Sequence, residues 1–456
     1  MPDNLTGMAG GVPTGSGGSN VLMTSAQDEV VELCSELIRI DTSNPTSDER
    51  AAAEWVVGKL DEVGVESRLY ESEPGRASVV ARIAGADRSR PGLLVHGHLD
   101  VVPADPAEWS VHPFSGEVRD GFVWGRGAVD MKDMDAMTLA LVREWARTGT
   151  RPPRDVVVAF LADEEAGGVK GAHWMVRNHP EEFEGCTEAV SEVGGFSVTL
   201  RDDLRMYPIQ TAEKGMAWLR LIARGRPGHG SMRHEDNAVT RLAEAVARIG
   251  RYEFPLVLTK TVRQFLEALS DALDVDLDLE SADREEIDAL VARLGGLARM
   301  VGATLSNTAN PTMLDAGYKS NVIPGTASAV VDGRFLPGQR EEFERQIDAL
   351  LGDGVVREWV HHDQAVETDF DGPLVEAMAA ALRAEDPYAL PVPYTMSGGT
   401  DAKSFETLGM RCFGFSPLLL PADLDFAPLF HGIDERVPTE ALKFGVRVLD
   451  RFLAAS

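Results

Sequence analysis

The motif His96-Gly97-His98-Leu99-Asp100 constrains this chain most, because it directly follows the apolar run Gly92-Leu93-Leu94-Val95. A short apolar run of this kind reads as a buried strand, and in open α/β sheets chemistry gathers beyond the carboxyl ends of strands. The pattern recurs downstream. Val156 to Leu161 empties into Asp163-Glu164-Glu165, and Thr187-Glu188-Ala189-Val190 gives way to Ser191-Glu192. His431 has only Leu429-Phe430 as its apolar lead-in after Pro428, which predicts a loop position. Between the first two strands, the turn-rich segment from Gly125 to Asp133 contributes Asp130. If these ends share one rim, His98, Asp130, Glu165, Glu192 and His431 form a metal site. Five nitrogen and oxygen ligands suit two zinc-type ions sharing a carboxylate, with open positions for water and substrate.

Length and composition narrow the class further. A chain of 456 residues exceeds one hydrophobic core, so two domains are expected. No apolar run approaches the roughly 20 residues of a membrane span, and no basic region followed by an apolar core opens the chain. Cys34, Cys186 and Cys412 are too few and too scattered for a disulfide framework or a thiolate metal site, which fits a cytoplasmic location. Any metal must then be held by nitrogen and oxygen. A net charge of -29 argues against nucleic acid and anionic membranes as partners.

Along the chain, residues 1–25 are rich in Gly, Ser and Pro without apolar periodicity and are expected to be a disordered lead. Strands and helices then alternate, the pattern of an α/β fold with a mixed, mainly parallel sheet. Residues 26–212 and 363–456 are assigned to this catalytic, metal-binding domain, and residues 213–362 to an inserted α+β lid or dimerisation domain. The insert would contain the stretch from Asp271 to Asp288, where nine carboxylates accompany one arginine, read as a solvated helical face.

The ordered motifs H-G-H-L-D-V-V-P at His96, G-R-G-A-V-D-M-K at Gly125, D-E-E at Asp163, S-E-V-G-G at Ser191, G-R-P-G-H-G-S at Gly225, N-V-I-P at Asn321, G-G-T-D-A at Gly398 and F-H-G-I-D-E at Phe430 resemble one family. It is the dinuclear metallohydrolase family of zinc aminoacylases, acetylornithine deacetylases, succinyl-diaminopimelate desuccinylases and carboxypeptidases. The resemblance implies a zinc-peptidase-like fold and two divalent ions per subunit, zinc foremost, with cobalt or manganese as alternatives. It implies that Asp130 bridges the ions, that His98 and Glu192 complete one site, and that Glu165 and His431 complete the other. Glu164 becomes the general base, and Asp100 would hold the outer nitrogen of His98. His229 would reach a neighbouring subunit's active site and stabilise the oxyanion, which implies a homodimer. Asn321 and Arg334 would hold the substrate, with Gly398, Gly399 and Thr400 as a pocket wall.

His96 is read as loop support and Lys132 as structural, while His112, His173, His179, His234, His361 and His362 are read as surface or packing residues. The leading expectation is amide hydrolysis of an N-acyl amino acid or short peptide with a free carboxylate. A dipeptidase or aminopeptidase using the same ions is the nearest alternative. A catalytically inactive dimeric binding protein is a third, and the complete ligand set together with Glu164 speaks against it.

Overall fold

The computed structural model describes residues 24–456. The lead expected over residues 1–25 therefore lies outside the described residues except at its end, where Ser25 caps the first helix, Ala26–Ile38, in a reciprocal capping box with Asp28.

One large mixed sheet forms the main body. Its path runs Arg68–Glu73, Arg76–Ile83, Val156–Leu161, Gly92–His98, Cys186–Ser191, Arg411–Gly414, Leu204–Glu213 and Val366–Glu367. The pairings of Gly92–His98 with both neighbours are parallel, and so is that of Cys186–Ser191 with Arg411–Gly414. Val156–Leu161 is apolar throughout and Gly92–His98 is apolar up to its two histidines, and every residue of both strands is buried, as expected of parallel strands in the middle of a covered sheet. Their carboxyl ends deliver His98, the Asp163-Glu164-Glu165 turn and Glu192 to the same rim.

A second sheet is antiparallel, in the order Thr308–Ala316, Thr326–Phe335, Gly215–Arg224 and Val355–His362. Burial alternates along it. Ala217, Leu219 and Leu221 pack with Leu242, Ile249, Phe343 and Ile347 from the helices Ala238–Arg251 and Arg340–Leu351. Of the intervening residues, Met216 and Trp218 line a cavity shared with the main body.

The acidic segment does not pack with this second sheet, where the sequence had placed it. Leu279 and Ile287 within it, and Val262, Phe265, Leu266, Leu269 and Leu290 in the helices that flank it, join the core of the main body, with Phe265 edge-on to Tyr394. Helical periodicity reveals that such a segment has an apolar face but not which core that face will meet. Its nine carboxylates are all exposed, but those from Asp274 to Asp283 lie between the helices Lys260–Leu273 and Arg284–Val291 rather than on one helical face. No helix among the described residues is long and apolar enough to cross a membrane.

Candidate metal centre

Asp130 stands between the two histidines. Its Oδ1 lies 3.1 Å from His98 Nε2 and its Oδ2 lies 3.1 Å from His431 Nε2. Around His98 Nε2, Glu192 Oε2 lies at 3.6 Å and Glu164 Oε2 at 3.9 Å. On the other side Glu165 Oε2 is 3.1 Å from His431 Nε2, and His431 sits in a loop at φ 56°. Two donor groups therefore share one carboxylate.

Charge is crowded here. Burial and the neighbouring Glu192 push the Glu164 carboxyl well above its usual range, and burial raises Glu192 to about 7 against the opposing pull of His98. Burial also acts on Asp130, but hydrogen bonds from His431 and His98 outweigh it and hold this carboxyl well below the usual range. Hydrogen bonds to Asp130 and Glu165 raise His431 to about 10. Like charges packed this densely in a low-dielectric rim are relieved by cations. Glu165 Oε1 is buried without a hydrogen-bond partner among the described residues, an acceptor in want of a positive ligand. The donor set, nitrogen and oxygen only, fits two divalent ions.

The supporting contacts correct one expectation. His98 Nδ1 donates to the main-chain carbonyl of Asp100 at 2.9 Å, whereas the Asp100 carboxylate lies 3.6 Å away. That carboxylate instead accepts from the backbone N–H groups of Glu164 and Glu165, each at 3.1 Å, and from Asn44 Nδ2 at 3.0 Å. Asp100 thus pins the turn that carries both glutamates, because that turn's free N–H groups are the stronger claim on a buried anion. Asp163 continues the scaffold, accepting from Asn44 Nδ2 and the backbone of Lys170.

Sequence reasoning missed Glu435 as a support, although it ends the F-H-G-I-D-E motif. It is fully buried, pairs with Arg126 at 2.7 Å and accepts from the backbone of Val129 at 2.8 Å, which fixes the segment bearing Asp130. His96 packs on Phe405 with ring centres 4.7 Å apart, and Lys132 donates to the carbonyls of Leu37 and Ile40.

Beside the donors opens a cavity of about 320 Å³. Arg334, Gly399 and Thr400 line it. Arg334 is held by Asp332 through Nε at 2.7 Å and Nη2 at 3.2 Å. Thr400 is tied through its backbone N–H and hydroxyl to Glu213, at the end of the strand leading to the second sheet. His229 and Asn321 are brought together with each other, at the two-stranded ribbon Gly228–His229 with Val322–Ile323, where both are exposed. They do not line this cavity.

The chain resembles known proteins along nearly its whole length. It is 28% identical over 447 residues to the N-fatty-acyl-amino acid synthase/hydrolase PM20D1 of Xenopus tropicalis, covering 93% of this chain and 85% of that protein. It is 27% identical over 436 residues to aminoacylase-1 of Sus scrofa, covering 93% and 94%. The M20 family metallo-carboxypeptidase Sso-CP2 from Sulfolobus solfataricus shares the fold with a TM-score of 0.72 at 17% identity, over 94% of this chain and 99% of that one. With the family pattern matched from residue 94 to residue 455, the chain belongs to peptidase family M20/M25/M40 and is a metal-dependent hydrolase of amide or peptide bonds.

Proposed function

We propose that the protein hydrolyses the amide bond of a small N-acyl amino acid or short peptide that carries a free carboxylate. The observation that carries this reading is Asp130 dividing its two oxygens between His98 and His431, each at 3.1 Å, beside a cavity whose lining includes Arg334. The names of the two relatives, an aminoacylase and an N-fatty-acyl-amino acid synthase/hydrolase, support the N-acyl amino acid.

In this reading His98, Asp130 and Glu192 hold one ion and Asp130, Glu165 and His431 the other, zinc being the best match to the ligand set. Bound there, the ions supply Lewis acidity toward water and the scissile carbonyl oxygen. Glu164 takes the proton from the attacking water and hands it to the leaving amine nitrogen. Asp100 keeps the Glu164 turn in place. Arg334, with Nε and Nη2 committed to Asp332, offers Nη1 to the substrate carboxylate. His229 and Asn321 act in the neighbouring subunit's site, so the working form is a homodimer. The three cysteines, all free and buried, suit a reducing cytoplasm.

The test is Glu164→Gln on metal-reconstituted protein, assayed with N-acetyl amino acids and unblocked dipeptides side by side. The ions stay and turnover falls about 100- to 10,000-fold. Near-normal activity at full metal occupancy refutes the role of Glu164. Wild-type protein that turns over neither substrate class refutes the whole reading.

A further inference from the structure

The face of the second sheet turned toward the cavity carries a polar group that the reaction above leaves unused. Register places Arg334 beside Met216, Asp332 beside Trp218, and Trp218 beside His361. Met216, Trp218, Arg334 and His361 all line the cavity. Arg334 therefore stands at one margin of an apolar floor made by Met216 and Trp218, and His361 stands at the other. Two strand spacings of about 4.8 Å separate the strands that carry them, roughly 10 Å in all.

His361 is not a packing residue satisfied by its surroundings, as the sequence suggested. Its Nε2 is buried and has no hydrogen-bond partner among the described residues. The ring rests over Gly167, where a methyl group would lie 3.6 Å from Nε2, and its centre is 5.7 Å from that of Trp218. The neighbouring Asp363 does not serve it, being turned to His173 of the main body at 3.6 Å. Burial lowers the pKa of His361 below the ordinary value, so the ring is neutral and each nitrogen either donates or accepts. Buried polar atoms in native proteins find partners, and the side chain that carries this one lines the space a substrate enters, next to Gly167.

We propose that His361 is a specificity-determining residue whose Nε2 hydrogen-bonds a hydroxyl, or a polar group of similar size, on the acyl half of the substrate. The proposal rests on the reading of the site as an N-acyl amino acid hydrolase. Arg334 takes the carboxylate end, the scissile amide lies across Met216 and Trp218 beneath the metal ligands, and the acyl end points to His361. A hydroxyl satisfies either tautomer of the ring, which makes it the cleanest probe.

The experiment compares N-glycoloyl-methionine with N-propionyl-methionine, two substrates of nearly equal size that differ by a hydroxyl in place of a methyl group. Wild-type enzyme prefers the glycoloyl compound in kcat/KM by about tenfold, the scale of one buried hydrogen bond. His361→Ala removes that preference, lowering the glycoloyl value about tenfold while the propionyl value moves less than about twofold. His361→Gln, which keeps a donor and an acceptor, retains part of it. Metal content and melting temperature are read on each variant. Absence of a preference in the wild type overturns the proposal without any variant, and so does an equal fall on both substrates in His361→Ala. Wild type that cleaves neither compound overturns the N-acyl amino acid reading itself, a different result.

Discussion

Replacing Asp100 by Asn tests whether its carboxylate serves the glutamate turn or the histidine. The carboxylate receives three N–H groups, from Glu164, Glu165 and Asn44, and is fully buried. An amide of the same shape keeps one accepting oxygen and turns an NH2 toward donors, so at least one charge-assisted bond to the turn is lost. Bonds of that kind contribute about 1.5–3 kcal/mol each. If local opening of the turn falls by that amount, its amides exchange with solvent about 10- to 150-fold faster. The measurement is hydrogen exchange on the peptide spanning residues 163–168, with kcat alongside. Exchange accelerates there and kcat drops, because Glu164 no longer holds its place. Unchanged protection of this peptide, with the loss confined to metal affinity, would show that the carboxylate acts on His98 and refute the assignment.

Two further outcomes follow from the cavity wall and the exposed ribbon. Arg334→Ala weakens kcat/KM for carboxylate substrates about 10- to 150-fold, from the loss of a charge-assisted bond of about 1.5–3 kcal/mol, and spares the matching amides; equal losses on both would remove Arg334 from carboxylate binding. His229→Ala mixed with Glu164→Gln, each inactive alone, regains part of the activity after subunit exchange, because a mixed dimer owns one site with an intact base and an intact partner histidine. Verified mixed dimers without activity, or a fully active monomer, would show that His229 does not act across subunits.

That these side chains converge could be read from the sequence because each follows an apolar run or sits in a glycine-rich turn, and strand ends converge by geometry. His98, Glu165 and Glu192 needed only that. Side-chain direction was less legible. Asp100 and His98 are two residues apart, and nothing in that spacing says whether the carboxylate or the carbonyl meets the ring. His361 was invisible for another reason: its strand looks like any half-exposed edge, and its importance comes from cross-strand register with Trp218 and from contact with the distant Gly167. The helices after Lys260 carried a clear apolar face, but the core that face chooses is a tertiary fact.

That choice of core has a consequence for how the chain assembles. The chain crosses between the main body and the second sheet four times, out and back twice, near Glu213, Phe254, Leu305 and Asp363. The passages are bonded to one another: Val257 donates to Leu305, Met216 and Asp363 exchange backbone bonds, and Thr261 donates its N–H to Glu367. Neither core is built from one unbroken length of chain. The smaller sheet waits for strands made after the acidic helices, and the large sheet waits for strands made after the smaller one is complete. The two bodies are interleaved in time as well as in space, so their folding is coupled, and neither can be cut from the sequence as a self-sufficient piece.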